Sequence, residues 1–274
     1  MSEATYGTVE RVDRLAPRLV RVTFGGVGLD GFTSSGFADE YVNALFLPDG
    51  APWEVPFDLD AARAGPAEHR PRGRRFSVRS WDAGSRRLFI DFVVHGDVGL
   101  AGRWADHAGP GDRLQVLGPS GAYTPDPGAD WHLLVGDESA LPAIGAALER
   151  LDGGAVAEVI AVVDGPGHEI DLPSKAEVSL RWLYRNGVAD DPDVLARAVA
   201  DLGFPAGRVH AFVHGEAAEV RAVRRHLVAD RGLAAGDHSI SPYWRHHHTD
   251  EQWREIKAGW LAAQAADTEG HEET

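Results

Sequence analysis

Cysteine is absent from all 274 residues, which excludes disulfides, cysteine-ligated zinc, iron–sulfur clusters and thiol catalysis. Cations are scarce. The 27 Lys and Arg against 42 Asp and Glu leave a formal net charge of −15. A surface of that sign is a poor partner for nucleic acid or for broad anionic membranes, because phosphate neutralisation needs a basic surface. No run approaches the roughly 18 apolar residues of a membrane span. The first residues, Met1 to Gly7, carry neither a basic nor an apolar stretch, so no secretory leader is expected and a cytoplasmic location is the default. The G-x-S-x-G elbow, the Walker A lysine loop, H-E-x-x-H and the EF-hand loop are all missing. His246-His247-His248 are three consecutive side chains that cannot easily all face one ion, so no metal site of the protein's own is expected.

What positive charge there is gathers in one place. Arg72, Arg74, Arg75 and Arg79 fall between Pro71 and Trp81. From Arg75 to Arg79 polar and apolar residues alternate, which predicts a strand with Phe76 and Val78 on one face. Arginine's planar fork of N–H groups suits phosphate, yet a solvated edge strand answered by nearby carboxylates would look the same. Around it, Thr8–Val12, Leu19–Phe24, Tyr41–Leu47, Leu88–Val94 and Arg113–Leu117 also read as strands bounded by Gly, Pro or Asp. Six such strands predict a closed antiparallel barrel, with a short helix near Leu59–Ala64. After Leu88–Val94, Gly96, Gly99 and Gly102 form a glycine-rich turn into a helix whose first N–H groups suit an anion.

Gly118 to Gly128 has the composition of a boundary, and beyond it the grammar changes. Strands at Trp131–Val135, Ala157–Val163, Val178–Tyr184 and Arg208–Val213 alternate with helices at Ser139–Leu151, Pro192–Leu202 and Glu216–Asp230. That predicts βαβ units and a parallel sheet of four or five strands, with ligands at the carboxyl ends of the strands. Asp137 and Glu138 stand at the first such end. They suit capping of the following helix or contact with a ligand, and two acids disfavour a simple phosphate cradle at Gly136. Thr249 with Gln252 reads as a capping box opening a last helix whose Trp253, Ile256 and Trp260 make one apolar stripe.

The barrel followed by a parallel domain has the order of flavin reductases. The ordered set Arg74 to Arg79, Asp91 to Gly96, Gly99 to Trp104, Gly118-Pro119, Gly136-Asp-Glu-Ser-Ala-Leu-Pro-Ala-Ile144, Gly215-Glu216 and Tyr243-Trp244-Arg245 resembles the siderophore-interacting proteins. These are FAD-containing ferric-siderophore reductases of the ferredoxin–NADP reductase superfamily. The resemblance implies an FAD-binding barrel over residues 1–124 and an NAD(P)H-binding α/β domain with a C-terminal helix over 125–274. It implies Arg74 on the FAD pyrophosphate, with Phe76, Ser77, Val78 and Arg79 forming the flavin wall. Asp91, Val93 and His95 would line the ribityl and adenosine side. Gly99, Ala101, Gly102 and Trp104 would close over the pyrophosphate. Asp137, Ser139 and Ala140 would border the nicotinamide channel, with Tyr243 and Trp244 near the other flavin face.

Arg245 and Lys257 offer a late basic cluster for a ferric siderophore. Phe76 stands where the family usually has Tyr, and Gly102 where it usually has Ser or Thr. No side-chain nucleophile is implied, since a flavin carries the electrons. NADPH, NADH or a ferredoxin could be the donor, and a monomer is expected. Two other readings stay open at this point: a non-catalytic binder of a siderophore or small acid, and a flavin reductase acting on quinones or another acceptor.

Overall fold

The computed structural model describes residues 4–94, 99–187 and 191–267. The chain divides into two compact units, Met1–Thr124 and Pro125–Thr274.

The first unit is a closed barrel. Its strands are β1 (Tyr6–Ala16), β2 (Leu19–Gly25), β3 (Tyr41–Phe46), β4 (Arg72–Asp82), β5 (Arg87–Val93) and β6 (Arg113–Ser120), in the order β1-β2-β5-β4-β3-β6. Every neighbouring pair is antiparallel. Alternate residues point inward, so Val20, Val22 and Phe24 of β2 meet Leu88, Ile90 and Phe92 of β5 in the interior. Each such side chain contributes about 2 kcal/mol by leaving water. Between β3 and β4, α1 (Leu59–Ala64) starts where the Asp58 carboxylate accepts the N–H groups of Asp60 and Ala61 at 3.0 and 3.1 Å. After β5, α2 (Leu100–His107) sets Ala101 and Ala105 against the barrel.

The second unit is a five-stranded parallel sheet. Its strands β7 (Trp131–Asp137), β8 (Val156–Val163), β9 (Glu177–Tyr184), β10 (Val209–Glu216) and β11 (His238–Trp244) lie in the order β11-β10-β7-β8-β9. The helices are α3 (Leu141–Leu148), α4 (Val194–Ala200), α5 (Ala217–Arg225) and α6 (Asp250–Ala266). The strands β7 and β10 are buried along their whole length, as expected where both faces are covered.

Three local expectations are corrected. The segment containing Tyr243 and Trp244 is a fifth strand, with Pro242 inside it; it is an edge strand, where a missing N–H is tolerated. The helix expected from Ser139 begins at Leu141, because the Ser139 N–H is already given to the Asp137 carboxylate at 2.9 Å. The stripe on α6 is uneven: Trp253 is buried, whereas Ile256 is 42% exposed. The capping box of Thr249 and Gln252 is present in full. Among the described residues, no helix is long and apolar enough to cross a membrane.

Candidate functional site

In the barrel, the arginine-rich segment is β4. It pairs with β3 so that Arg74 lies beside Ala44, Phe76 beside Val42 and Ser77 beside Tyr41. Phe76 turns toward the barrel interior, with ring centroids 4.5 Å from Phe92 and 6.0 Å from Phe46. Trp104 of α2 joins the same cluster, 5.7 Å from Phe46 and 5.8 Å from Phe92. The two residues that flank the cluster, Phe76 and Trp104, stay half-buried. Through Phe46 and Phe92 one aromatic group thus ties the middle of α2 to the middle of β4, and each of these two elements carries a set of donors.

The first set is arginine. Arg74 extends from β4 with its Nη1 donating to the Gly73 carbonyl at 3.0 Å, while Arg75 lies exposed over the Tyr41 ring. The strict alternation stops further along the strand. A bulge between Val78 and Ser80 interrupts the pairing with β5, and Val78 and Arg79 are consecutive buried residues. An arginine 6% exposed is tolerated only with compensating acceptors, so Arg79 is part of a built environment and not a solvated edge.

The second set is the start of α2. Gly99 has φ +81°, no side chain caps the helix, and a Cβ at Gly99 would meet nothing within 4 Å. The first N–H groups of a helix have no partner within the helix. An uncapped helix start and an arginine strand in one barrel are donors of the kind that suit a pyrophosphate. A groove of about 670 Å³ lies along α2, bordered by Leu47, Trp104, His107, Arg113 and Asp112 and by Arg103, which is paired with Asp49. The residues present thus fit a dinucleotide such as FAD.

Two of the expected barrel residues are placed differently from the rest. Asp91 is fully buried and both its oxygens are taken by Arg21, at 2.7 and 2.8 Å. Its charge is answered inside the barrel wall, and the sequence reading missed Arg21 because the pair lies 70 positions apart. Val93 ends β5 half-buried, and His95 lies outside the described residues.

In the parallel unit, the carboxyl ends of the strands converge on Asp137. This carboxylate is wholly buried. It accepts from the N–H and the hydroxyl of Ser139 at 2.9 and 2.5 Å, from the Glu216 N–H at 2.8 Å and from the Trp244 indole at 2.7 Å. One side chain thereby joins the ends of β7, β10 and β11. Asp137 does not cap α3, whose N-cap is Ala140 with no side-chain bond; the geometry spends its oxygens on other strands. Glu138 accepts the Asp164 N–H at 2.7 Å at the end of β8. Burial, and then the neighbouring Asp137 charge, push its carboxyl up to about 7. At the end of β9, Arg185 forms a two-pronged ion pair with the buried Glu219 of α5. Burial pushes the Glu219 carboxyl up and the guanidinium pulls it back.

Beside this cluster, Tyr243 sits edge-on to the buried His214, centroids 4.8 Å apart. His214 stacks on Phe212, and burial lowers it to about 3, so it stays neutral at ordinary pH. Arg245 and Lys257 are engaged between β11 and α6. The Arg245 guanidinium lies 3.9 Å over the Trp260 ring, and Lys257 donates to the Pro242 carbonyl at 2.8 Å. His246 donates its N–H to Glu216 at 3.1 Å, and no group of three metal-ligating side chains occurs among the described residues.

Two family profiles cover these two units. Residues 8–123 match the siderophore-interacting FAD-binding domain, and residues 129–247 match the siderophore-interacting protein. The chain belongs to the siderophore-interacting protein family. Its similarity to the ferric vibriobactin reductase ViuB of Vibrio cholerae is 34% identity over 88% of this chain and 89% of that one. It is 32% identical to the NADPH-dependent ferric-chelate reductase of Escherichia coli over 82% of this chain and 86% of the other. The crystal structure of a siderophore utilization protein from T. fusca is 38% identical, with a TM-score of 0.76, over 89% of this chain and 94% of that one. The family's barrel is its FAD-binding domain, which agrees with the donors on β4 and α2.

Proposed function

We propose that this chain is a reductase that passes electrons from NAD(P)H, through FAD, to Fe(III) held in a siderophore. The observation that carries the reading is the pair of donors, an arginine strand and an uncapped helix start, carried on elements that share one aromatic cluster in a domain of the FAD-binding family. Bound FAD would supply the conversion between two-electron hydride transfer and one-electron transfer, which no side chain provides.

The chain's own residues do the binding and positioning. Arg74 and the N–H groups at Gly99, Ala101 and Gly102 hold the pyrophosphate. Phe76, Ser77, Val78 and Arg79 form the wall for the ring system, and Trp104 with the groove along α2 receives the adenosine end. Asp137, Ser139, Ala140, Tyr243 and Trp244 border the nicotinamide at the carboxyl edge of the sheet, where nucleotides bind in such folds. Asp91, Arg245 and Lys257 fall outside this set, since Arg21 engages the first, the Trp260 ring the second and the Pro242 carbonyl the third. One NAD(P)H carries two electrons, enough for two Fe(III). The hard oxygen ligands of a siderophore hold the resulting Fe(II) far less tightly, so reduction releases it.

The names of the relatives support an enzyme acting on ferric chelates, and one is named for NADPH. The test is spectroscopic first. Purified protein supplied with FAD should retain a flavin absorbance band through gel filtration. NADPH or NADH should bleach that band, and a ferric siderophore should restore it while an Fe(II) trap colours. Protein that retains no flavin, or reduced protein that a ferric siderophore does not reoxidise, would overturn the reading. Faster reoxidation by a quinone or turnover only with a ferredoxin would redirect it.

A further inference from the structure

The two edges of the parallel sheet are built differently. β11 contains Pro242, slips register against β10 between Gly215 and Glu216, and is covered by α6 through the Trp253 indole, which donates to the Tyr243 carbonyl at 3.2 Å. Proline, irregular pairing and a covering helix are the means by which a sheet edge is kept from pairing with another chain. Among the described residues β9 has none of them. Its eight residues run in unbroken register along β8, from Glu177 beside Val156 to Tyr184 beside Val163, and contain no proline or lysine.

The backbone of β9 is oriented for a further strand. The Glu177 and Arg185 N–H groups donate to the Ala155 and Val163 carbonyls, each at 2.9 Å. In a parallel ladder the bonding residues repeat every second position, so the odd-numbered residues serve β8. The N–H and C=O groups of Val178, Leu180, Trp182 and Tyr184 therefore point out of the sheet. The side chains of those same four residues share one face. Leu180 and Tyr184 are 37% and 38% exposed. On the opposite face Leu183 packs against the core of the unit, while Glu177, Ser179 and Arg181 are exposed. The Leu180 face has no helix of its own because the crossover 164–176 contains none.

We propose that β9 is a self-association edge, where two copies of this chain pair antiparallel and join their sheets into one. Like faces stay together only if the two-fold axis passes through a residue near the strand centre, Leu180 or Arg181. An axis at Arg181 sets two guanidinium groups face to face. An axis at Leu180 sets Leu180 on Leu180 and Val178 on Trp182 along the apolar face. On the other face it sets Ser179 opposite Arg181, with Glu177 on the diagonal of Arg181, so charges of opposite sign become neighbours. Arg181 is exposed and reaches the Ala198 carbonyl only at 3.5 Å, which leaves it able to turn to Glu177 of the partner. This pairing replaces the monomer expected from the sequence and is independent of the reductase reading.

The experiment is sedimentation equilibrium of the full, FAD-supplied chain at about 0.15 M salt, where charges beyond about 8 Å are screened. The expected mass is twice the 29.5 kDa of one chain. Leu180→Lys puts two ammonium groups on the axis, and its N–H points away from β8, so the native ladder is untouched; dissociation should become easier by at least about tenfold. Glu177→Arg and Arg181→Glu should each weaken the dimer, and the double swap should restore it. Those two surface changes keep the test decisive should Leu180→Lys fail to fold, as checked by circular dichroism. A monomer at every concentration, or a dimer indifferent to these changes, overturns the proposal.

Discussion

Asp137 and Trp244 lie 107 positions apart and are joined by an indole N–H to carboxylate bond of 2.7 Å. The same oxygen also takes the Glu216 N–H, and the other takes Ser139, so the carboxylate has no acceptor capacity idle on the side of its protein partners. Hydrogen bonds to a charged, buried group are worth about 1.5–3 kcal/mol each when one partner is removed. Asp137→Asn keeps the shape but turns an NH2 group toward donors. It should cost about 3 kcal/mol, measured as a lower urea midpoint with an unchanged m-value. Trp244→Phe removes only the indole donor and should cost less. In the double variant the two effects should fall short of additive by about 1 kcal/mol or more, and strict additivity would show that the bond is not a stabilising contact.

The strands of the barrel were legible because each is a local pattern, alternation between turn residues, and the interior then follows from it. The capping box at Thr249 is equally local, needing only three residues of spacing. What stayed hidden is nonlocal. The Arg21–Asp91 pair spans 70 positions and the Asp137 hub spans 79 and 107, and no pattern in sequence marks which acids will share donors. The burial of Arg79 next to Val78 did not follow from the alternation, because a bulge shifts parity without any glycine or proline to announce it. β11 was unreadable as a strand because Pro242 argues against one unless the strand is known to lie at an edge.

Gly215 is the backbone counterpart of the Asp137 hub. Its φ of +142° is in the range that glycine favours, and a Cβ built there would fall 2.8 Å from the Asp137 Cγ. The carboxylate can reach the Glu216 N–H only because the position has no side chain. Gly215→Ala should therefore destabilise by about 1–3 kcal/mol. It should do so much less in an Asp137→Ala background, since the clash and the bond it breaks would both already be gone. Equal losses in the two backgrounds would assign the cost to backbone strain alone.

Arg74 and Ser77 make separable contributions in the proposed FAD site. Loss of a charge-assisted phosphate contact costs about 1.5–3 kcal/mol, and loss of a neutral hydrogen bond about 1 kcal/mol. Arg74→Ala should thus weaken FAD binding by roughly tenfold to a hundredfold and Ser77→Ala by several-fold, read by flavin fluorescence on dilution. Raising the salt should narrow the Arg74 effect and leave the Ser77 effect in place. An Arg74→Ala protein that holds FAD as tightly as the parent would remove that arginine from the site.

Glu138 gives the fold a pH dependence opposite to that of most paired acids. Its carboxyl is raised from 4.5 to about 7 by burial and by the adjacent Asp137 charge, so the folded protein holds a proton there that the unfolded chain has released. Between these two values the native state binds more protons than the unfolded state, and stability falls as pH rises. The contribution is fully present below about 4.5, is lost through about 7, and amounts to about 3 kcal/mol. Glu138→Gln keeps an acceptor for the Asp164 N–H and removes the titration. The difference in unfolding free energy between variant and parent should therefore grow in the variant's favour from pH 5 to pH 7 and then level. A difference that stays flat over that interval would mean that Glu138 is ionised in the folded protein throughout, and that its neighbours neutralise the Asp137 charge more effectively than burial opposes it.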